Sequence, residues 1–352
     1  MKILSAVNSV DEYQALADAG ADELYCGIYH MGDVSHGNRA LNRREGLSFC
    51  LNGEEEFAAL NEKAQRDHRP VFVAINSFYS TEALNKVKRQ IAALLPLSPH
   101  GFIVADIAVL RFIRQSGFAG KISISVGGTV FNAQAARFYQ ELTADRIILP
   151  RHLTLREMDT FADLGLELEV LVLEDRCLFI DGFCNFHHSL PGKSTNILHD
   201  NKFLARTIFP RLLAKLNYGS IRQTLPRWLG GKADRFRRVC AYHYKISSLG
   251  AAETKAEQID KLQLALSDHT HVETCGLCRL AEFEERGIGY IKIANRGKLT
   301  SHKVQTIALA RAAVTELMKR GAPEDFTACI REHYRRIYGH PCGRAHCYYP
   351  ND

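Results

Sequence analysis

Four cysteines carry the clearest chemistry in this sequence: Cys177, Cys184, Cys240 and Cys275. The first pair follows a strand-like run in LEVLVLEDRCLFIDGFC, and the second flanks a basic stretch that ends in HVETCGLCRL. A chain whose thiols stay reduced uses such groups for metal rather than for disulfides. Four thiolates from scattered positions suit an iron–sulfur cluster or a zinc ion, and spacing alone does not choose between them. Zinc fingers use closely spaced ligand pairs, a form found here only in Cys275-x-x-Cys278. Ligands drawn from distant points of a rim favour a cluster set in an active site.

Other thiols and polar groups form a second tier. Cys278 lies one turn beyond Cys275 and could join the site, pair with Cys275 in redox chemistry, or pack as a small residue. Cys26 and Cys50 read as buried thiols. His340, Cys342, His346 and Cys347 form a tail cluster of metal-binding residue types in no common finger spacing. That tail is expected to be mobile, although Tyr334, Tyr338, Tyr348 and Tyr349 suit docking. Asn76, Asp106, Arg151, Glu169 and Arg296 fall at or near the ends of strand-like runs. There the arginines could grip a carboxylate or phosphate, and a carboxylate could act as acid or base. The competing arrangement pairs Asp106 and Glu169 with Arg151 and Arg296 as buried salt bridges.

Eight aliphatic or β-branched runs must position these groups: KILSAV, ELYCGI, PVFVAIN, GFIVAD, KISISV, RIILP, LELEVLVL and YIKIAN. Amphipathic stretches with three- and four-residue spacing separate them. Ser9 with Glu12, and Thr154 with Glu157, read as capping boxes, and Gly20 and Gly165 fall where those helices should stop. Continuous apolar strands alternating with helices imply a covered parallel sheet, and eight such units imply a TIM-like (β/α)8 barrel. The barrel is expected over residues 1–320. Rhythm breaks over 178–270, too long for an ordinary loop, so this stretch reads as an insertion from the seventh strand's C-terminal end, the active face of such barrels. Residues 321–352 form a Cys/His-rich C-terminal tail.

Composition bounds the function. A chain of 352 residues, 46% of them hydrophobic, can bury a sizeable core. The apolar run in MKILSAVNSVDEY is too short for a signal-peptide core, and no segment approaches the ~20 apolar residues of a membrane span. The expected location is cytoplasmic. Net charge is +6, and the tract Arg222 to Arg238, with Trp228 inside it, could meet RNA through phosphates and stacking or lie as a solvated loop. No HExxH helix and no GxSxG elbow is present. Gly192-Lys193-Ser194-Thr195 looks like the end of a phosphate loop, but His187 stands where its leading glycine belongs.

The segment Glu169 to Cys184 resembles the signature of the collagenase-like (U-32) peptidase family: a Glu, a Cys eight residues on, then Gly-x-Cys ending seven residues later. Glu169, Cys177, Gly182 and Cys184 fit it in turn. The blocks GADELYCGI, FVAINSF, FIVADIA, IILPRHLT and ERGIGYIKIANR follow in family order, so the resemblance covers roughly residues 1–310. Departures are Glu174-Asp175-Arg176 before the first Cys, Ala294-Asn295 in place of an acidic motif, and no Gln in SVGGT. Characterised relatives resemble oxygen-independent hydroxylation proteins acting on ubiquinone precursors or RNA bases. The resemblance thus implies a 4Fe-4S cluster on Cys177, Cys184, Cys240 and Cys275, with Cys240 in third place once the basic tract counts as an insertion.

The leading expectation is a cytoplasmic iron–sulfur protein in oxygen-independent hydroxylation of a small aromatic or quinone precursor, with zinc as the alternative metal. Competing expectations are RNA-base hydroxylation or RNA-binding accessory work, a peptidase of the collagenase-like family, and a non-catalytic cluster-bearing partner in a heteromer with a homologous protein. The small-molecule substrate would be anionic or aromatic.

Overall fold

The computed structural model describes residues 1–29, 49–174, 181–182, 274–320, 323–343 and 346–349. Cys177, Cys184, Cys240 and the basic tract with Trp228 lie outside the described residues. Those described belong to one compact unit, Met1–Phe183 with Glu273–Asp352.

All eight expected strands are present: β1 Lys2–Ala6, β2 Glu23–Cys26, β5 Val71–Ile75, β6 Gly101–Val104, β7 Lys121–Ile124, β8 Arg146–Ile148, β9 Glu167–Leu173 and β10 Tyr290–Ile293. Each pairs in parallel with its neighbours, and they close a barrel in the order β1-β10-β9-β8-β7-β6-β5-β2. Two faces need covering, one against the bore and one against the helices, which is why β5 reads as unbroken VFVAI and is buried throughout. A small parallel sheet of β3 (Ile28–Tyr29) and β4 (Leu51–Asn52) was not legible from the runs.

Helices cover the outer face by one apolar stripe each. In α2 (Gly53–Arg66) the buried residues are Phe57, Leu60, Asn61 and Ala64, and in α3 (Thr81–Leu94) they are Ala83, Val87, Ile91 and Leu94. Burying each large aliphatic or aromatic side chain contributes roughly 1.5–3 kcal/mol. Side-chain caps open α3, α4 (Ile107–Gln115), α5 (Ala133–Glu141) and α6 (Leu155–Met158). The Thr154–Glu157 capping box forms as expected, with Thr154 N–H donating to Glu157 Oε2 at 2.8 Å.

The other box does not form. Ser9 makes no side-chain cap bond at the start of the first helical turn. Glu12 reaches back one residue further, to the Asn8 N–H, and also accepts from Lys303 Nζ at 2.6 Å and from Thr300 Oγ1 at 3.1 Å, both on α8 (Thr300–Arg320). The charge-assisted bond to the buried Lys303 ammonium ties this carboxylate to α8.

After α1 (Tyr13–Asp18) and the α7 helix (Leu280–Glu285), the chain ends in α8 and α9 (Pro323–Tyr338). Phe326, Ile330 and Tyr334, four residues apart along α9, are all buried. Tyr348 and Tyr349 are buried too. The expected mobile tail is a docked one, because its tyrosines supply both apolar area and hydroxyls that find partners.

Candidate functional site

The bore is filled first by charge. Arg146, fully buried at the start of β8, donates to Glu23 Oε2 at 2.7 Å, to Glu169 Oε2 at 3.0 Å and to Glu167 Oε2 at 2.9 Å. Lys292 Nζ reaches Glu169 Oε1 at 3.1 Å. Burial pulls the Lys292 ammonium below its ordinary pKa while Glu169 opposes the shift. For Arg146 burial also works against the charge, but Glu169 and Glu23 outweigh it and raise its pKa. This corrects the placement of Glu169, which is third of seven residues in β9 and not at its end. It also corrects the pairing, since the partners of Glu169 are Arg146 and Lys292 and not Arg151 or Arg296. Arg146, Glu23 and Glu167 each begin a strand, the end of such barrels that serves stability.

The opposite end holds the remaining candidates. Asn76 follows β5 and is half-buried. Asp106 caps α4, accepting from Ala108 N–H at 2.8 Å and from Tyr79 N–H at 3.3 Å, so its carboxylate organises a loop. Arg151 is held by Asp181 through its main-chain N–H at 2.9 Å, Nε at 3.1 Å and a further bond from Nη2. Burial would raise the Asp181 carboxyl pKa, but Arg151 outweighs burial and holds it below the ordinary range. Asp181 was invisible to sequence reasoning because its partner lies 30 residues away, with α6 and β9 between them. Beside it Gly182 has φ +84, and a Cβ there would stand 2.1 Å from Thr129 Cγ2. That explains why glycine stands at this place in this chain. Arg296 is buried, near enough to influence both Lys292 and Cys26.

Glu174, passed over in the sequence as a departure from the family pattern, is the most unusual residue at this end. It follows β9 directly, is fully buried, and has φ +67, a left-handed conformation that costs a non-glycine residue roughly 1–3 kcal/mol. Its main chain is pinned: N–H to Thr274 O at 2.9 Å, and carbonyl to Thr274 Oγ1 at 3.2 Å and to the Tyr348 hydroxyl. Oε1 lies 2.9 Å from His302 Nε2 and accepts from Tyr338 OH at 2.8 Å. Among the described residues Oε2 has no hydrogen-bond partner, with Lys298 Nζ 3.9 Å away. Burial and then the Glu174 charge push the Tyr338 hydroxyl pKa well up. A buried carboxylate with one oxygen that accepts no hydrogen bond among the described residues, in a strained residue at the end of a barrel strand, has the features of a functional group.

Cys275 adjoins it. Gly276 N–H donates to Val172 O at 2.7 Å, and Cys275 bridges Leu173 on one side and Cys347 on the other. The thiol is buried and reduced, as are those of Cys26 and Cys50. Cys278 sits in a 3-10 turn, Leu277–Arg279, and is half-buried. Burial raises the pKa of Cys275, and Cys278, Cys342 and Cys347 raise it further. Cys278 is pushed up to about 11 by burial and then by Cys347. The thiols of Cys278, Cys342 and Cys347 lie near enough to Cys275 to influence it electrostatically. Among the described residues no three His, Cys, Asp or Glu side chains form a metal-holding group.

Comparison with known proteins adds an independent line. A sequence model for peptidase family U32 matches residues 8–198. The chain is 25% identical over 198 residues to tRNA hydroxylation protein P of Helicobacter pylori, covering 56% of this chain and 44% of that one. It is 26% identical over 202 residues to an uncharacterized protease of Methanocaldococcus jannaschii, covering 56% and 46%. It therefore spans under half the length of these relatives. A solved U32 peptidase structure covers 49% of this chain and 69% of its own, at 14% identity and a TM-score of 0.38. No described helix is long and apolar enough to cross a membrane.

Proposed function

The chain belongs to peptidase family U32, and on that footing we propose that it acts in hydroxylation of an RNA base at the C-terminal mouth of its barrel. The observation that carries the mouth as the working face is Glu174: buried, left-handed and beside a reduced thiol at the end of the seventh barrel strand. The RNA class is supported by likeness to a tRNA hydroxylation protein, and it displaces the small aromatic or quinone precursor as first choice. The basic tract Arg222 to Arg238 supplies cations suited to phosphates.

Glu174 and its neighbours can manage a proton at the mouth. Oε1 is committed to His302 and Tyr338, which fix the carboxylate plane. Oε2 is left to accept a proton or an N–H from a bound group, the role of a general base. Tyr338, its hydroxyl kept protonated by burial, stays a donor at neutral pH. An iron–sulfur cluster is part of this proposal, with Cys275 as the ligand among the described residues and Cys177, Cys184 and Cys240 as the others that the family resemblance implies. When bound, such a cluster supplies one-electron chemistry.

The test is nucleoside analysis of RNA from a strain lacking the gene. One hydroxylated nucleoside should fall to its form one oxygen lighter, returning with the wild-type gene and not with Glu174→Gln. An unchanged RNA profile together with a changed quinone pool would overturn the RNA reading in favour of a small aromatic substrate.

A further inference from the structure

The last helix brings more than Tyr338 to the mouth. One side of α9 is apolar and buried, through Phe326, Ile330 and Tyr334. The other carries Arg331, Arg335 and Arg336, all exposed, against one acid, Glu332. Glu332 Oε2 accepts from Arg335 Nε at 2.9 Å, and its Oε1 accepts from Arg335 Nη2 at 2.8 Å and from Arg336 Nε at 3.0 Å. One carboxylate is thus shared by two guanidiniums that stay 59% and 66% exposed, and the face keeps a cationic excess.

The placement of these cations decides what they can serve. Tyr338 ends α9 and donates to Glu174 Oε1 at 2.8 Å, so this end of the helix adjoins the mouth. At about 3.6 residues per turn, Arg331 lies about 20° around the helix from Tyr338, Arg335 about 60° and Arg336 about 160°. Arg331 and Arg335 therefore line the side of α9 that leads to Glu174, while Arg336 turns away. Cations in a last turn answer the helix dipole, which accounts for Arg335 and Arg336. Arg331 stands about two turns before the helix end, beyond the reach of that effect.

We propose that Arg331 and Arg335 form a phosphate-docking surface for the RNA strand whose base enters the mouth. This rests on the reading above that the substrate is RNA. Residues four apart are neighbours on a helix face, so the two cations form a short row. Each guanidinium presents a fork that matches phosphate oxygens. Such contacts fix the position of a strand and carry no sequence information.

The test is binding of a fluorescein-labelled single-stranded RNA by the full chain, read as anisotropy across a salt series. Arg331→Ala with Arg335→Ala should weaken binding roughly tenfold at low salt and make the salt slope shallower by about 1.4, since each phosphate contact contributes about 0.7. The control, Lys63→Ala with Arg66→Ala in the last turn of α2, should bind as wild type does. A wild-type slope in the α9 variant, or equal losses in both variants, would overturn the docking surface and leave the RNA reading intact. Poly-glutamate competing as well as unlabelled RNA would also overturn it, because the face would then suit an acidic protein. No binding by the wild type would overturn both. Should the α9 variant fail to fold, Glu332→Gln decides, since it strips the face of its acid. Tighter binding then supports the surface, and unchanged or weaker binding overturns it.

Discussion

Arg146 of β8 and Glu23 of β2 stand on opposite walls of the barrel and bond across the bore at 2.7 Å. Three strands separate them in either direction around the closed order. The same guanidinium serves Glu169 and Glu167, and its Cζ lies 3.5 Å from the Tyr290 ring centre. Removing it by Arg146→Met strands buried Glu23 and leaves Glu169 with Lys292 alone, so unfolding free energy should fall by about 3–5 kcal/mol. Urea denaturation monitored by circular dichroism checks this. Little or no loss would mean that the carboxylates find water or protons in the bore.

Arg151→Ala should lower stability by about 1.5–3 kcal/mol, because nearly buried Asp181 loses a charge-assisted partner. The pH dependence follows from the sign of the shift. Asp181 has a folded pKa below its ordinary 3.8, so its pairing stabilises the fold fully above the unfolded value. That stability disappears as pH falls through the folded one. Melting curves in the acid range should therefore fall less steeply for Arg151→Ala than for wild type. Parallel curves would sink the assignment, and unchanged melting at pH 7 would remove the structural role altogether.

Gly182→Ala combines a left-handed backbone with a side chain driven into Thr129. The expected cost is roughly 1–3 kcal/mol. Thr129→Ser in the same protein removes the colliding methyl and should restore part of it, leaving the backbone share. Thermal melts of the single and double variants separate the two contributions.

Tyr338→Phe deletes one donor to Glu174 without changing shape. Leaving a buried acceptor short of a partner costs about 1–3 kcal/mol. Glu174→Gln keeps volume but not charge. If Glu174 serves chemistry at the mouth, this variant should melt near wild type, carry a full metal complement and fail to restore the hydroxylated nucleoside. A restored nucleoside would confine Glu174 to holding α8 and α9 in place.

Legibility in the sequence followed the range of the forces involved. Val71–Ile75 announces a strand because burial on both faces demands an unbroken apolar run. Thr154 and Glu157 announce a helix start because the whole device spans four residues. Ser9 and Glu12 carry the same pattern, and Glu12 is tied instead to Asn8 and to Lys303, 291 residues on. The partners of Arg151 and Glu169 were misassigned for a related reason, since charge pairing depends on which strands oppose each other in the closed order. Glu174 was missed because nothing local marks it. Its burial and its positive φ are imposed by Thr274, His302, Tyr338 and Tyr348, all supplied by the chain after residue 273.

Barrel closure has a consequence for the integrity of the chain. β10 pairs with β9 on one side and β1 on the other, so the segment from residue 274 onward is laced into the wall along two seams. Asn295 bonds to Ser5 and Ala6, Lys303 to Glu12, and Arg286 to Leu155. None of these links runs through residues 183–273. A protein nicked within that stretch should keep its two pieces together as a non-covalent heterodimer, migrating as one species in native gels and as two in denaturing ones. Separately expressed pieces should reassemble the barrel by complementation.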